Sequence, residues 1–216
     1  MSPLRRAAAA IVAALTVLSS TLALSPATAA PLPAQDDITY VALGDSYAAG
    51  LGAGSVLDEC GRTANGYPVL VAAANGLALT QLACAGATMS SVASTQLPQV
   101  PADTNFVSVQ VGGNDVGFVP VLQVCAQPRN NAGCTEAIQQ SRAYLNSTFT
   151  RDAVALFTAI KQRAPNVTLI VVGYPRLFGS RDCSPLTTFS AIERTRLNDV
   201  VTLLNCLLYT SPSPRD

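Results

Sequence analysis

The sequence predicts an α/β fold in which a parallel sheet is covered by helices, and three observations carry that prediction. Four short, nearly continuous apolar runs, at residues 38–43, 79–83, 106–111 and 168–173, have the composition of strands buried on both faces of a sheet. They alternate with longer stretches whose apolar residues recur at helical spacing, the arrangement of right-handed crossover units. Three of the four runs lead into glycine-marked turns, and in open α/β sheets ligands bind at the carboxyl ends of the strands.

Residues 1–30 stand apart from this frame. Arg5 and Arg6 precede an apolar run over 7–24 and then Ala27-Thr28-Ala29-Ala30, the order of a secretory signal peptide cleaved after Ala29 or Ala30. A membrane anchor is the competing reading, since a span needs about 20 apolar residues. Thr16, Ser19, Ser20 and Thr21 interrupt the run, however, and a cleavage site follows it. The paired arginines lack the flank of a twin-arginine signal.

The domain is read as residues 31–205. Its first strand, 38–43, enters Gly44-Asp45-Ser46-Tyr47-Ala48-Ala49-Gly50. A glycine-bearing loop over 51–66 leads to a helix over 67–75 that Gly76 stops. The second strand, 79–83, enters Cys84-Ala85-Gly86-Ala87-Thr88, and the third, 106–111, enters Gly112-Gly113-Asn114-Asp115. A second long loop spans 116–133, followed by a helix over 135–163 in one or two pieces, a strand over 168–173, and an amphipathic helix over 189–205. Ile192, Leu197, Val200, Val201 and Leu204 give that last helix its apolar stripe. Residues 206–216, CLLYTSPSPRD, read as having no periodicity and resemble translated adapter sequence. Native sequence is therefore expected to stop near Asn205, with a disordered native tail as the alternative.

Charge and cysteine usage narrow the function. The chain has 13 basic and 13 acidic residues with no basic cluster outside the leader, so nucleic acid and anionic membrane surfaces are not expected partners. Six cysteines in an exported chain point to disulfides. A metal site is not expected, because there is no C-x-x-C and no histidine. The stretch Gly50-Leu51-Gly52-Ala53-Gly54 mimics a dinucleotide fingerprint, but it begins well after its strand and lacks the acidic residue about 20 positions later. No cofactor is expected.

The three turns carry the parts of an acyl-transfer site. Ser46 offers a hydroxyl where the chain bends sharply, with Gly44 allowing the bend and Ala48, Ala49 and Gly50 leaving space above it. The Ser46 N–H, the Gly86 N–H and the Asn114 side-chain amide are three donors for a developing oxyanion, each worth roughly 3 to 4 kcal/mol of barrier in comparable sites. Asp45 is read as a turn-stabilising carboxylate, because neighbours on a strand point to opposite sides. Asp115 is read as a turn residue. Lys161, the only lysine, lies beside Gln162 and Arg163 at a helix end and is read as solvated. Tyr40, Tyr47 and Tyr67 are read as packing or cleft-wall residues.

On these three blocks the chain resembles the SGNH, or GDSL, hydrolase family and its secreted actinobacterial esterase and lipase branch, over roughly residues 38–205. The resemblance implies a three-layer flavodoxin-like fold with sheet order 2-1-3-4-5, its last elements missing from this sequence. It implies Ser46 as nucleophile, with Ser46, Gly86 and Asn114 forming the oxyanion hole. It also implies that Cys60 pairs with Cys84 and Cys125 with Cys134, leaving Cys183 with no partner but Cys206. The family's fourth block, an Asp-x-x-His, is absent, and no residue here can inherit the role of base.

The expected protein is thus a secreted, extracellular, monomeric serine esterase or lipase without a stable membrane anchor, acting on small-molecule or lipid esters. The chain as written is expected to be inactive. Two alternatives stay open: a non-catalytic module that binds acyl lipid or glycan, and a carbohydrate O-acetyl esterase.

Overall fold

A computed structural model describes residues 38–179 and 189–211, so the leader, Cys183 and the last five residues lie outside the described part of the chain. Four parallel strands, β1 (Thr39–Gly44), β2 (Ala78–Gln81), β3 (Phe106–Gln110) and β4 (Thr168–Val171), form one sheet in the order β2-β1-β3-β4. These are the first four places of the expected order, and the described residues form no fifth strand. β1 is central, with Ala42 opposite Gln81 on one side and Gly44 opposite Gln110 on the other.

The two-residue period of the strands sorts their side chains. Val41, Leu43, Val107 and Val109 enter the main core with Val92, Leu145, Phe149, Ile160, Leu197 and Leu204. Tyr40 and Ala42 face the other way, against Ala72 of α2 (Tyr67–Asn75). There the Tyr40 hydroxyl is 2.7 Å from the Ser108 hydroxyl, which satisfies both buried groups. This second face is covered mainly on the β1–β2 side, and on β4 Ile170 remains 44 % exposed.

Helix α2 begins after Gly66, carries Pro68 in its first turn, and ends at Gly76 in the left-handed conformation, matching the predicted bounds. The segment 116–133, read as a loop, instead holds α4 (Phe118–Cys125) and the start of α5 (Asn131–Tyr144). Pro120 lies in the first turn of α4, where a missing N–H breaks no helical bond, so it does not stop the helix. A wide π turn at Leu145–Phe149 joins α5 to α6 (Thr150–Arg163) without a break and buries Phe149 completely.

The last helix also departs from expectation. α7 (Ala191–Thr210) starts with a capping box between Ser190 and Glu193 and runs five residues past Asn205. Leu197, Val201, Leu204 and Leu208 keep a spacing of three or four, so Leu208 is buried in the same core despite the polar residues that follow. Among the described residues no helix is long and apolar enough to cross a membrane.

Disulfides join Cys60 to Cys84 and Cys125 to Cys134, while Cys206 is exposed and unbridged among the described residues. The first closes a separation of 24 residues and ties the loop after Ser46 to the second turn. A loop of that size restricts the unfolded chain by about 3 kcal/mol. Replacing both Cys60 and Cys84 by alanine is expected to lower the unfolding free energy by about that amount, measured by urea titration. A change below about 1 kcal/mol would contradict this.

Candidate active site

The Ser46 turn is built by its neighbours in the sheet. Gly44, the last residue of β1, has φ +136°, and a Cβ there would lie 2.2 Å from the carbonyl oxygen of Gln110, so only glycine fits. The buried Gln96 side chain clamps this residue from both sides. It accepts from the Gly44 N–H at 2.8 Å and donates to the Gly44 carbonyl at 2.9 Å. The Asp45 N–H donates to Gln110 O at 3.0 Å, and the Asp45 carboxylate accepts from the Tyr47 N–H at 3.0 Å, which caps the single-turn helix α1 (Ser46–Ala49). Ser46 is left half-buried at the strand's end.

The other two turns are stitched to this one. Cys84 N–H donates to Gly44 O at 3.0 Å, which starts the second turn beside β1. Gly86 is exposed at φ +81°, with open space where a Cβ would stand. Among the described residues no group accepts from the Ser46 or the Gly86 N–H. In the third turn, Asn114 donates one amide hydrogen to Ala87 O at 2.9 Å, which links the second and third turns and leaves its other hydrogen available. The Asp115 carboxylate accepts at 3.1 and 3.2 Å from the N–H of Met89, the first residue of the single-turn helix α3 (Met89–Ser91), a second link between the same turns.

Ser46 and Asn114 line one cleft, a mostly apolar cavity of about 120 Å³ walled by Tyr47, Phe118, Leu177 and Leu204. Gly86 does not line it and belongs to the adjoining turn. Tyr40 and Tyr67 lie on the opposite side of the sheet against Ser108, away from this cleft. Lys161 is half-buried rather than solvated, and its ammonium donates to the Val167 carbonyl just before β4. That is the amino end of the strands, roughly 15 to 20 Å from Ser46 by the length of β1. Lys161 therefore cannot serve Ser46 as a base.

Asp45 is more than a turn carboxylate. It is 2 % exposed, and burial pushes its pKa up from 3.8 to about 6, against the lowering effect of hydrogen bonds from Tyr174 and Tyr47. Burial likewise raises the Asp115 carboxyl and the Tyr174 hydroxyl. Between pH 3.8 and about 6 the folded chain keeps a proton on Asp45 that the unfolded chain has released. Folding is thus favoured below that window and loses about 3 kcal/mol as pH rises through it. No histidine titrates nearby to mask the effect. Urea midpoints are expected to be higher at pH 5 than at pH 7.5, and a midpoint that rises over this interval would show that Asp45 is not the buried acid described.

Sequence reasoning missed four residues that hold the site. Besides Gln96, Tyr174 donates its hydroxyl hydrogen to the Asp45 carboxylate and accepts from the Gly113 N–H at 3.1 Å. Asn205 brackets the Tyr174 backbone, accepting from its N–H at 2.8 Å and donating to its carbonyl at 2.9 Å. Asn198, two turns earlier on α7, does the same for Leu177 and Phe178. The seven-residue spacing of Asn198 and Asn205 on an otherwise apolar helical stripe is a signal that could have marked those two, whereas Gln96 and Tyr174 carry none.

Residues 42–205 match the profile of the GDSL-like Lipase/Acylhydrolase family. Lipase 1 of Streptomyces coelicolor is 36 % identical over an alignment of 174 residues that covers 78 % of this chain and 63 % of that protein. Among solved structures, phospholipase A1 from Streptomyces albidoflavus superposes with a TM-score of 0.75 at 34 % identity, covering 80 % of this chain and 74 % of that one. The extracellular lipase from Streptomyces rimosus superposes with a TM-score of 0.73 at 35 % identity, covering 79 % and 74 %. The chain spans less than two thirds of the length of the curated relatives it matches.

Proposed function

Because the chain belongs to the GDSL-like lipase/acylhydrolase family, we propose that it carries the nucleophile and oxyanion-binding parts of a secreted hydrolase of carboxylic esters. The observation that carries this reading is that Ser46 and Asn114 share one apolar cleft at the carboxyl ends of two neighbouring strands. Ser46 attacks the ester carbonyl, and the carbonyl oxygen becomes an anion. The Ser46 and Gly86 N–H groups, unengaged among the described residues, and the second Asn114 amide hydrogen are the donors proposed to meet it. Phe118, Leu177 and Leu204 supply an apolar wall suited to an acyl chain, in keeping with similar proteins named lipase and phospholipase A1.

The segment boundaries belong to the same proposal, with a signal peptide over 1–30 and a hydrolase domain from residue 31. The two disulfides support export into an oxidising compartment. A monomer is proposed, with no cofactor.

The Ser46 proton needs an acceptor, and the 216 residues contain no histidine. The test therefore uses a form lengthened by a downstream Asp-x-x-His segment. In that form Asn114→Ala is expected to lower kcat on p-nitrophenyl butyrate by about 10² to 10³ with little change in KM, as for loss of one oxyanion donor. A rise in KM with kcat unchanged would make Asn114 a ground-state binding residue and contradict its role.

A further inference from the structure

We propose that Tyr174 is a positioning residue of the proposed ester-hydrolysing site, its single hydroxyl holding the Ser46 turn and the Asn114 turn at a fixed separation. The inference rests on the reading of Ser46 and Asn114 above. The geometry is that of a bridge between two strand ends. On one side the hydroxyl donates to the carboxylate of Asp45, the residue before Ser46. On the other it accepts from the N–H of Gly113, the residue before Asn114, at 3.1 Å. The sheet joins the two strand ends through the Asp45 N–H bond to Gln110 O, but beyond the strands the hydroxyl is the only described hydrogen-bonded link between these two turns, because the remaining Asp45 oxygen caps Tyr47 and the Gly113 N–H bonds only Tyr174.

The tyrosine is itself held from several sides. Its ring meets Tyr47 edge-on with centroids 5.3 Å apart and lies 3.3 Å from where a Gly113 Cβ would stand. Its backbone is bracketed by Asn205 of α7, and the preceding Gly173 carbonyl accepts from the Gln110 side chain at 2.7 Å. A phenylalanine would fill the same volume, so packing alone does not account for the hydroxyl. What the hydroxyl adds is a directed connection between an acid and a backbone amide, and a buried amide left without a partner is destabilised until its turn shifts to satisfy it.

The connection also makes the Asn114 turn responsive to Asp45. Tyr174 and the Tyr47 backbone contact Asp45 directly, and the like-charged Asp115 of the third turn and the hydroxyls of Tyr47 on α1 and of Tyr67 across the sheet on α2 feel its charge. When Asp45 is ionised it demands the tyrosine's hydrogen, and the oxygen is left to accept from Gly113. When Asp45 is protonated, that demand is relaxed. The Gly113 amide therefore senses the proton on Asp45 through one intervening oxygen.

The test is ¹⁵N–¹H correlation spectroscopy on the 216-residue protein between pH 4.5 and 8, with no need for activity. The Gly113 amide is expected to titrate with a midpoint near 6, the value to which burial raises Asp45. In Tyr174→Phe that dependence is lost, and the Ser46 amide and the Asn114 side-chain NH₂ shift together, while amides remote from the turns stay in place. Should Tyr174→Phe fail to fold, Asp45→Asn removes the titrating group, keeps an oxygen for Tyr47, and is expected to abolish the Gly113 midpoint. A Gly113 amide indifferent to pH overturns the proposal, as does one that titrates identically in Tyr174→Phe or Asp45→Asn. Failure of the esterase reading is seen separately, as absence of Ser46-dependent turnover in the lengthened form.

Discussion

The 216-residue chain is expected to hydrolyse p-nitrophenyl butyrate no faster than its own Ser46→Ala variant, whereas a form lengthened by an Asp-x-x-His segment gains turnover that depends on Ser46. A serine hydroxyl is a weak nucleophile until a neighbouring base takes its proton. Loss of a triad member in serine hydrolases lowers turnover on the order of 10⁴ to 10⁶. The sequence holds no histidine, and among the described residues neither Lys161 nor Asp45 is turned to Ser46. The sole lysine sits at the far end of the sheet on the Val167 carbonyl. Asp45 spends one oxygen on the Tyr47 N–H and the other on Tyr174, so neither is turned to Ser46. Ser46-dependent turnover by the 216 residues alone would mean that one of these groups moves, and Asp45→Asn and Lys161→Met would identify it.

The second large effect falls on stability. Gly44→Ala is expected to cost at least about 3 kcal/mol and to leave little folded protein at 37 °C, because two penalties coincide. The backbone there is at φ +136°, and the new methyl would stand 2.2 Å from Gln110 O, inside the β1–β3 pairing that positions Ser46. Gly52→Ala provides the control. Its φ is +87°, yet nothing lies within 4 Å of the added carbon, so it carries the conformational cost alone, about 1 to 2 kcal/mol. Urea midpoints for the two variants read the difference directly. Equal losses would show that the β1 end yields to accommodate the methyl.

The strands and the three turns were legible because their signals are local. Val41, Leu43, Val107 and Val109 are apolar in any setting, and Gly44 and Gly112 sit where a chain leaving a strand must bend. α2 was legible to its ends because Gly66, Pro68 and Gly76 punctuate it. α4 was not, since Gly117 and Pro120 read as breakers when isolated, whereas in the folded chain Pro120 falls in the first turn and Val121 is buried. The end of α7 was misjudged because composition changes at Cys206 while the apolar phase continues to Leu208. The supports of the site were invisible for a different reason. Tyr174 meets Asp45 across 129 positions and Gln96 meets Gly44 across 52, so no window of sequence contains both partners. The disulfide pairs were legible only through family resemblance, as six cysteines alone allow 15 pairings.

Ser46 as the nucleophile is tested most directly by intact-mass analysis and peptide mapping after treating the lengthened, histidine-bearing form with an alkyl fluorophosphonate. One adduct per chain is expected, located on Ser46, absent from Ser46→Ala, and formed far more slowly by the 216 residues alone, which contain no histidine. An adduct on another residue, or an unlabelled chain that still hydrolyses esters, would contradict the assignment of Ser46.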